Sequence, residues 1–339
     1  MSSNKNQTYD FAIIGGGAAG LSAGIYAARY LMKTVIIRGK HPGGETATAA
    51  WVENYPGFKR IDGYELIQKM EDHAQSTGVE LRDGEVIDIL KHKHCFDLLL
   101  RDGEHSLAKN ICFALGASAR RLGLPKEKEF TGKGISFCTT CDAPLFKGKE
   151  IIIVGGGDSS IKGANLAGEY AAKIYVIVRG DKITAEPVNW KRFEKNLLKT
   201  GKAEILYNTK VKEILGKTKF EGVRLSKSYS GADILKASGM FVQIGALPNS
   251  AMAKKLGVAL DEKGYIHVDK FMKTNVDGVF AAGDITDGAG SFRQDIIAAA
   301  QGAMAATAAY WDFDVHGKEM CAIHALPVIV KSNLPMKKK

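Results

Sequence analysis

Two glycine turns set the plan of this chain. The first, Gly15-Gly16-Gly17-Ala18-Ala19-Gly20, follows the apolar run Phe11-Ala12-Ile13-Ile14 and precedes a stretch rich in small residues, with Ser22, Ala23, Gly24, Ala27 and Ala28. Val35-Ile36-Ile37 comes next. Strand, turn, helix, strand is the order of a dinucleotide-binding unit. In the pattern G-x-G-x-x-G the first glycine permits the tight turn, the second lets a pyrophosphate approach the backbone, and the third lets helix and strand pack closely. The helix N-terminus then turns its unsatisfied N–H groups and positive dipole end toward the phosphates. The motif alone is weak; in this setting it is specific. The plan restarts 140 residues on, at Gly155. Glu150-Ile151-Ile152-Ile153-Val154 reads as a strand, Gly155-Gly156-Gly157-Asp158-Ser159-Ser160 as a second turn with serine in the third small position, and residues 174–178 as the following strand. The runs 111–117 and 241–245 close the two halves in similar form. A repeat of a whole domain plan predicts an α/β protein with two dinucleotide-binding units. It requires two nucleotides, or one nucleotide and a vestigial site.

Between the repeats lies Phe137-Cys138-Thr139-Thr140-Cys141-Asp142. A Cys-x-x-Cys pair can close a disulfide within one turn of chain, carry two electrons and exchange with the disulfide of another protein. The alternative is half of a zinc site. A structural zinc wants four ligands, and Cys95, Cys112 and Cys321 are single and scattered. Redox chemistry without a metal is the expectation. An acid directly after the pair, Asp142, suits protonation of a leaving thiolate. It also suits a helix cap or turn, and the two roles are compatible.

The rest of the chain narrows the class. Its 339 residues suit two domains, and 45% hydrophobic with 25% charged residues is ordinary for a globular protein. No apolar run reaches the roughly 18 residues of a membrane span, and the polar start, residues 1–7, lacks the apolar region of a signal peptide. Five cysteines are too few for a disulfide scaffold. A cytoplasmic protein away from membranes is expected. The formal charge of +10 is spread along the chain apart from Lys337-Lys338-Lys339, with no basic and aromatic motif for nucleic acid. Residues 64–78 read as a helix with Leu66, Ile67, Met70 and Ala74 on one face. Residues 79–113 read as short strands broken at Asp102-Gly103, and residues 295–311 as an alanine-rich helix. Before that helix, a strand ending in Gly283-Asp284 lets backbone come close to a cofactor while the acid accepts hydroxyls. The tail from about His316 carries Ile323, Leu326, Val328, Ile329 and Val330, suited to packing on the body or on a partner.

Taken together, Gly15-x-Gly17-x-x-Gly20, Val52-Glu53-Asn54-Tyr55-Pro56-Gly57, Cys138-Thr139-Thr140-Cys141-Asp142, Gly155-x-Gly157 and Gly283-Asp284 with Arg293-Gln294 resemble the low-molecular-weight thioredoxin reductases. These are FAD-dependent members of the pyridine nucleotide-disulfide oxidoreductase family. The likeness covers about residues 8–313. Its specific part is the cysteine pair just before the second glycine turn. In the larger glutathione-reductase-like enzymes the pair lies near the N-terminus, and in flavin-dependent ferredoxin–NADP reductases of similar shape it is absent. The resemblance implies two Rossmann-like domains of three-layer ββα form, the second inserted into the first. The FAD domain would comprise residues 1–118 and 246–313, the inserted domain residues 119–245, and a C-terminal extension residues 314–339. FAD would be held by Gly15, Gly17, Ala18, Ala19, Gly20, Gly43, Gly44, Asn54, Ala117, Gly283, Asp284, Arg293 and Gln294. Cys141 would lie nearer the flavin, Cys138 would attack thioredoxin or a thioredoxin-like partner, and Asp142 would manage protons. The resemblance also implies a homodimer whose inserted domain swings between flavin reduction and dithiol delivery.

The chain departs from that family where the electron donor is read. The usual NADPH signature is His-Arg-Arg with a further Arg a few residues on; here the stretch is Val178-Arg179-Gly180-Asp181-Lys182-Ile183-Thr184. An adenosine 2′-phosphate wants several cationic donors, best supplied as guanidinium forks. Arg179 survives, with Lys182 as a partial substitute. No acid ends the strand to favour NADH, and Ile161-Lys162-Gly163 stands where the family has an acidic pair. The first unit likewise has Arg38 where a ribose-binding acid is expected. Gly155, Gly157, Asp158, Ser159 and Arg179 are therefore expected to hold a pyridine nucleotide weakly, and NADPH, NADH and a non-nucleotide donor all stay open. Two rival readings are a flavin-dependent dithiol oxidase and a non-catalytic flavin-binding regulatory protein. The intact Cys138, Cys141 and Asp142 set argues against the second.

Overall fold

The computed structural model describes residues 8–39, 42–290 and 292–316. Strand β1 (Thr8–Ile14), buried from Phe11 onward, runs through the first glycine turn into α1 (Ala18–Arg29). β2 (Thr34–Ile37), α2 (Gly63–Ser76) and β3 (Glu80–Arg82) follow, and the three strands pair in parallel. In α2, Leu66, Ile67 and Ala74 are buried and Met70 is half-buried, as its apolar spacing predicts. Asp62 caps it by accepting the N–H groups of Tyr64 and Glu65 at 2.9 and 3.1 Å. β4 (Val86–Lys91), β5 (Phe96–Leu100) and β6 (His105–Phe113) form an antiparallel meander that turns at Asp102-Gly103, with Gly103 at φ +86°. The far half of β6 returns beside β1, giving the order β3-β2-β1-β6-β5-β4.

The chain then leaves this sheet through β7 (Ala117–Ala119). α3 (Glu127–Phe130), β8 (Ile135–Ser136) and α4 (Thr139–Asp142) lead into β9 (Glu150–Val154), the second glycine turn and α5 (Asp158–Ala167). β10 (Lys173–Ile177), α6 (Pro187–Phe193) and β11 (Ala203–Leu206) come next. β12 (Val211–Leu215), β13 (Gly222–Tyr229) and β14 (Ala232–Lys236) make a separate antiparallel sheet. β15 (Gly239–Val242) then completes a parallel sheet in the order β11-β10-β9-β15-β8. β16 (Ala246–Pro248) pairs antiparallel with β7, Ala246 opposite Ala119 and Pro248 opposite Ala117. The chain therefore enters and leaves the second unit through one two-stranded ribbon. α7 (Ala251–Lys255) and β17 (Val279–Ala281), which joins β6, precede α8 (Asp295–His316). This last helix runs past the end at 311 expected from composition. The hydrophobic tail residues 323–330 lie outside the described residues.

The repeat read from the sequence is a repeat of backbone geometry. Ile14 stands beside Phe113 as Val154 stands beside Val242. A Cβ on Gly15 would come 2.2 Å from the Ala114 carbonyl oxygen, and one on Gly155 would come 2.1 Å from that of Gln243. Both glycines have positive φ, +122° and +140°, so each turn excludes side chains twice over. These are two Rossmann-like units, each with its own core. In the first, Phe11, Phe113 and Phe280 are fully buried, and each contributes about 1.5–3 kcal/mol by leaving water. The alanine content of α8 has a packing cause: a Cβ on Gly302 would lie 2.0 Å from the Ala19 carbonyl oxygen, so α8 meets α1 backbone to backbone. Ala305, Ala306, Ala308 and Ala309 are fully buried in the same seam.

Arg38 directly follows β2 and is held by acids of its own unit. Its Nη1 lies 3.1 Å from Glu71 of α2, and its Nε and Nη2 donate to Asp83 at 3.0 and 2.7 Å. Burial works against its charge, and Glu71 and Asp83 outweigh that cost. The residue thus ties strand to helix.

Candidate active site

Cys138 and Cys141 are joined in a disulfide. Cys138 occupies the N-cap of α4, and the Cys141 N–H donates to its Sγ at 3.2 Å. Ser136 Oγ accepts the Cys138 N–H at 3.0 Å, and Gln243 Nε2 donates to the Phe137 carbonyl at 3.0 Å. These bonds pin the loop to the end of β15. Thr139 is buried, and a Cβ on Gly163 of α5 would lie 2.8 Å from its hydroxyl oxygen. Glycine at 163 is what lets the cysteine helix sit directly on α5. Asp142 closes α4, with its N–H directed to the Cys138 carbonyl at 3.3 Å. Cys138 caps α4, and Asp142 stands at the N-cap of the 3-10 turn Ala143–Phe146, without a side-chain capping bond.

A cavity of about 380 Å³ opens between the two units. The first unit contributes Glu45, Asn54, Gln294 and Asp295 to its lining, and the inserted unit contributes Cys138 and Lys162. Asn54 and Gln294, 240 positions apart, meet through Nδ2–H donating to Oε1 at 2.8 Å. Among the described residues, three side-chain contacts beside the cavity span the units. Cys138 Sγ is 4.0 Å from the Thr48 carbonyl oxygen, the Ala50 N–H donates to Thr140 Oγ1 at 3.2 Å, and Arg192 pairs with Glu53 at 2.8 Å. Cys138, rather than Cys141, faces the cavity in this arrangement; Cys141 is exposed and lies outside the lining.

The first glycine turn fits an extended, phosphate-bearing group. Gly17 is the N-cap of α1, where no side chain caps the exposed N–H groups. A Cβ there would meet only the Gly43 carbonyl, at 3.8 Å, so the approach to those donors is open. Gly20 is closed instead: its Cβ would come 1.9 Å from the Gly15 carbonyl oxygen. Gly43 and Gly44 turn beside them at φ +85° and +57°. Gly283 packs over Ala19, next to Ala18, with its N–H held by Gln301 Oε1 at 2.8 Å. Asp284 follows. Burial pushes its carboxyl above the usual range, Arg293 works in the opposite direction, and Asp295 and Glu45 add to the rise. Arg293 lies over the Tyr265 ring at 3.9 Å with its Nε buried and unpartnered. An orphaned donor and under-compensated carboxyls around an uncapped helix are the donor set a dinucleotide with sugar hydroxyls would complete. Ala117 lies in the two-stranded ribbon, opposite Pro248.

The second turn is half available. Gly157 caps α5 without side-chain help, and a Cβ on it would meet nothing within 4 Å. Ser159 is exposed on the cavity wall. Asp158 is already engaged, accepting the Glu186 N–H and Asn189 Nδ2 at 2.9 Å each and pairing with Lys162 at 2.9 Å. Burial opposes its charge, and these three partners together hold it below the usual carboxylate range. Arg179 is exposed just beyond Val178, whose side chain would touch a Cβ on Gly156 at 2.7 Å. The sequence reading missed Glu45, Thr46, Arg192 and Asp295. Glu45 and Asp295 directly adjoin motif residues Gly44 and Gln294, which is the signal that was there to use.

A disulfide on a cavity shared by two dinucleotide-type units defines a class: oxidoreductases that pass electron pairs between a nucleotide and a dithiol. The chain belongs to the pyridine nucleotide-disulphide oxidoreductase family, whose model matches residues 9–308. It is 37% identical over 305 residues to the thioredoxin reductase of Bacillus subtilis (strain 168), covering 89% of this chain and 94% of that one. It is 38% identical over 310 residues to the thioredoxin reductase of Peptoclostridium acidaminophilum, covering 89% and 96%. Among solved structures, thioredoxin reductase of Lactococcus lactis superposes with a TM-score of 0.84 at 34% identity, over 91% of this chain and 99% of that one. That of T. acidophilum gives 0.83 at 37% identity with the same coverage.

Proposed function

We propose that this protein is a flavoprotein disulfide reductase that passes electrons through FAD and the Cys138–Cys141 pair to thioredoxin or a thioredoxin-like protein. The observation that carries this reading is the disulfide lying against the cavity that both units line. FAD supplies a two-electron carrier between a donor and the disulfide. Gly15, Gly17, Ala18, Ala19 and Gly20 would hold its pyrophosphate, Gly43, Gly44, Gly283 and Asp284 its sugar and ribityl groups, and Asn54, Ala117, Arg293 and Gln294 its ring side.

Cys138 is the sulfur that attacks the outside disulfide. Its Sγ already accepts the Cys141 N–H, an interaction that favours the thiolate once the pair opens. Cys141 exchanges electrons on the flavin side, and Asp142 protonates the leaving sulfur. Because Cys141 faces outward here, these roles require the inserted unit to turn between half-reactions. The β7–β16 ribbon would be the pivot, and its pairing supports domain boundaries at 118/119 and 245/246. Turning breaks Arg192–Glu53, a partly exposed pair of a kind worth about 0–1 kcal/mol, so the barrier it adds is small. The donor is NADPH, NADH or a non-nucleotide reductant, with nucleotide held weakly by Gly155, Gly157, Ser159 and Arg179. A homodimer in the cytoplasm follows from family likeness alone.

Anaerobic flavin bleaching by NADPH, NADH and reduced ferredoxin, compared side by side and followed by oxidised thioredoxin, tests the reading. Return of flavin colour on adding thioredoxin is the expected result. Reduced flavin that passes nothing to a protein disulfide, with peroxide formed from small dithiols, would replace the reductase by an oxidase.

A further inference from the structure

One carboxyl on the cavity wall has no part in the scheme above. Asp295 opens α8 and lines the same cavity as Cys138. Thr46 Oγ1 donates to its Oδ1 at 2.6 Å. The charged and titratable groups around it come from both units. Glu45, Glu53, Asp284, Arg293 and Tyr55 belong to the first unit; Lys162, Glu186 and Arg192, which pairs with Glu53, stand on the facing side. At a helix start a carboxylate is ordinarily favoured. Here burial pushes Asp295 above the usual carboxylate range, while the Thr46 hydroxyl and the Lys162 charge pull it only partly back. Lys162 reaches it from the inserted unit, and Lys162 is itself shared with Asp158 at 2.9 Å and Glu186 at 4.0 Å. The group is thus held in place by Thr46, half-buried in the cavity wall, and opposed by one cation that belongs to the other unit.

We propose that Asp295 is the proton-binding partner of two-electron reduction in this cavity, with Lys162 setting its charge in the oxidised protein. The inference rests on the flavin reading above. A hydride donor brings two electrons and one proton. Breaking the Cys138–Cys141 S–S bond and forming two S–H bonds takes two electrons and two protons. The second proton is taken from solvent at Asp295 Oδ2, the oxygen that Thr46 leaves free, when the electron pair enters. It returns to solvent as the pair moves on to the sulfurs, where Asp142 delivers a solvent-derived proton to the leaving sulfur and the donor's proton completes the second S–H bond. Asp295 acts here by holding a proton and tuning the charge of the cavity, as a positioning residue.

The test is the slope of the flavin midpoint potential against pH, by dithionite titration of the FAD-loaded protein between about pH 5.5 and 8.5. Uptake of one extra proton gives a segment steeper than the flavin alone produces. Asp295→Asn should remove that segment, and Asp295→Glu should keep it. Lys162→Met should move it to higher pH, since losing a nearby cation raises the carboxyl. A helix-start role alone would lower flavin retention or melting temperature in Asp295→Asn and leave the slope intact; that result overturns the inference. If Asp295→Asn loses its flavin, Lys162→Met decides, and an unmoved segment in that variant overturns the inference too. Failure of the wild-type chain to bind FAD overturns the flavin reading first, and this inference with it.

Discussion

Replacing Gly17 with valine should leave the flavin-free protein folded while removing most of its affinity for FAD. Gly17 has φ −87° and ψ −172°, an extended conformation open to any L-residue. An added Cβ meets nothing nearer than the Gly43 carbonyl at 3.8 Å. The cost to the empty fold should therefore stay within about 0.5 kcal/mol, as for most substitutions that disturb no packing. The new side chain stands in front of the uncapped first turn of α1. Keeping a diphosphate from two of those N–H donors removes charge-assisted bonds of about 1.5–3 kcal/mol each. The loss, about 3–6 kcal/mol, is roughly two to four tenfold steps in Kd. Gly20→Ala is the contrasting variant. Its Cβ would lie 1.9 Å from the Gly15 carbonyl oxygen, backbone against backbone. Overpacking of that kind costs about 1–3 kcal/mol or more, and should lower the melting temperature by several degrees with or without FAD. Thermal unfolding of flavin-free protein and a fluorescence titration with FAD separate the two effects. A Gly17→Val variant that binds FAD as tightly as the parent would refute the placement of the pyrophosphate. One that unfolds as Gly20→Ala does would refute the argument from open space.

Three further outcomes are expected. Cys141→Ser should trap a mixed disulfide between Cys138 and a thioredoxin-class protein, visible by non-reducing mass analysis, and Cys138→Ser should not; the reverse pattern would exchange the roles of the two sulfurs. Stopped-flow reduction should show NADPH slow or little preferred over NADH. Losing two or three phosphate contacts of about 1.5–3 kcal/mol each removes several tenfold steps of discrimination, and fast reduction at micromolar NADPH with strong preference would contradict it. The flavin-free protein should gain stability as pH falls toward the ordinary carboxylate range of roughly 4. Glu45, Asp284 and Asp295 are all raised by burial, so the folded state holds protons that the unfolded chain has released; stability is lost as pH rises above the unfolded values. Melting curves across that range check it, and an Asp284→Asn variant with an unchanged pH profile would remove Asp284 from the account.

The fold was legible where local chemistry and global packing demanded the same residue. Gly15 and Gly155 are required both by positive φ and by a carbonyl about 2 Å from any Cβ, so the repeat could be read from letters alone. α2 showed its buried face as a period, and Asp102-Gly103 marked its own turn. Legibility failed where the partner lies far along the chain. Nothing near Arg38 announces Glu71 and Asp83. Nothing near Asn54 announces Gln294. The cavity carboxyls escaped notice because Glu45 and Asp295 gain their character from the cavity they line, which a sequence does not print. The direction in which each cysteine faces depends on how two bodies are placed, and no local pattern encodes that. The end of α8 lies five residues past 311 because the alanine run stops at Ala309 while helical backbone continues through Trp311 to His316.

The β7–β16 ribbon has a consequence for how such a chain can be altered. Ala119 and Ala246 are cross-strand partners, so both ends of the inserted unit leave at one point. The Asn249 N–H donates to the Gly116 carbonyl at 3.0 Å, so the host's own ends also meet there. Either body can be cut away and its stump closed by a short loop, without stretching the other. The inserted unit is in this sense a replaceable cartridge: it can be rewritten or exchanged while the half that carries the first glycine turn keeps every glycine it needs.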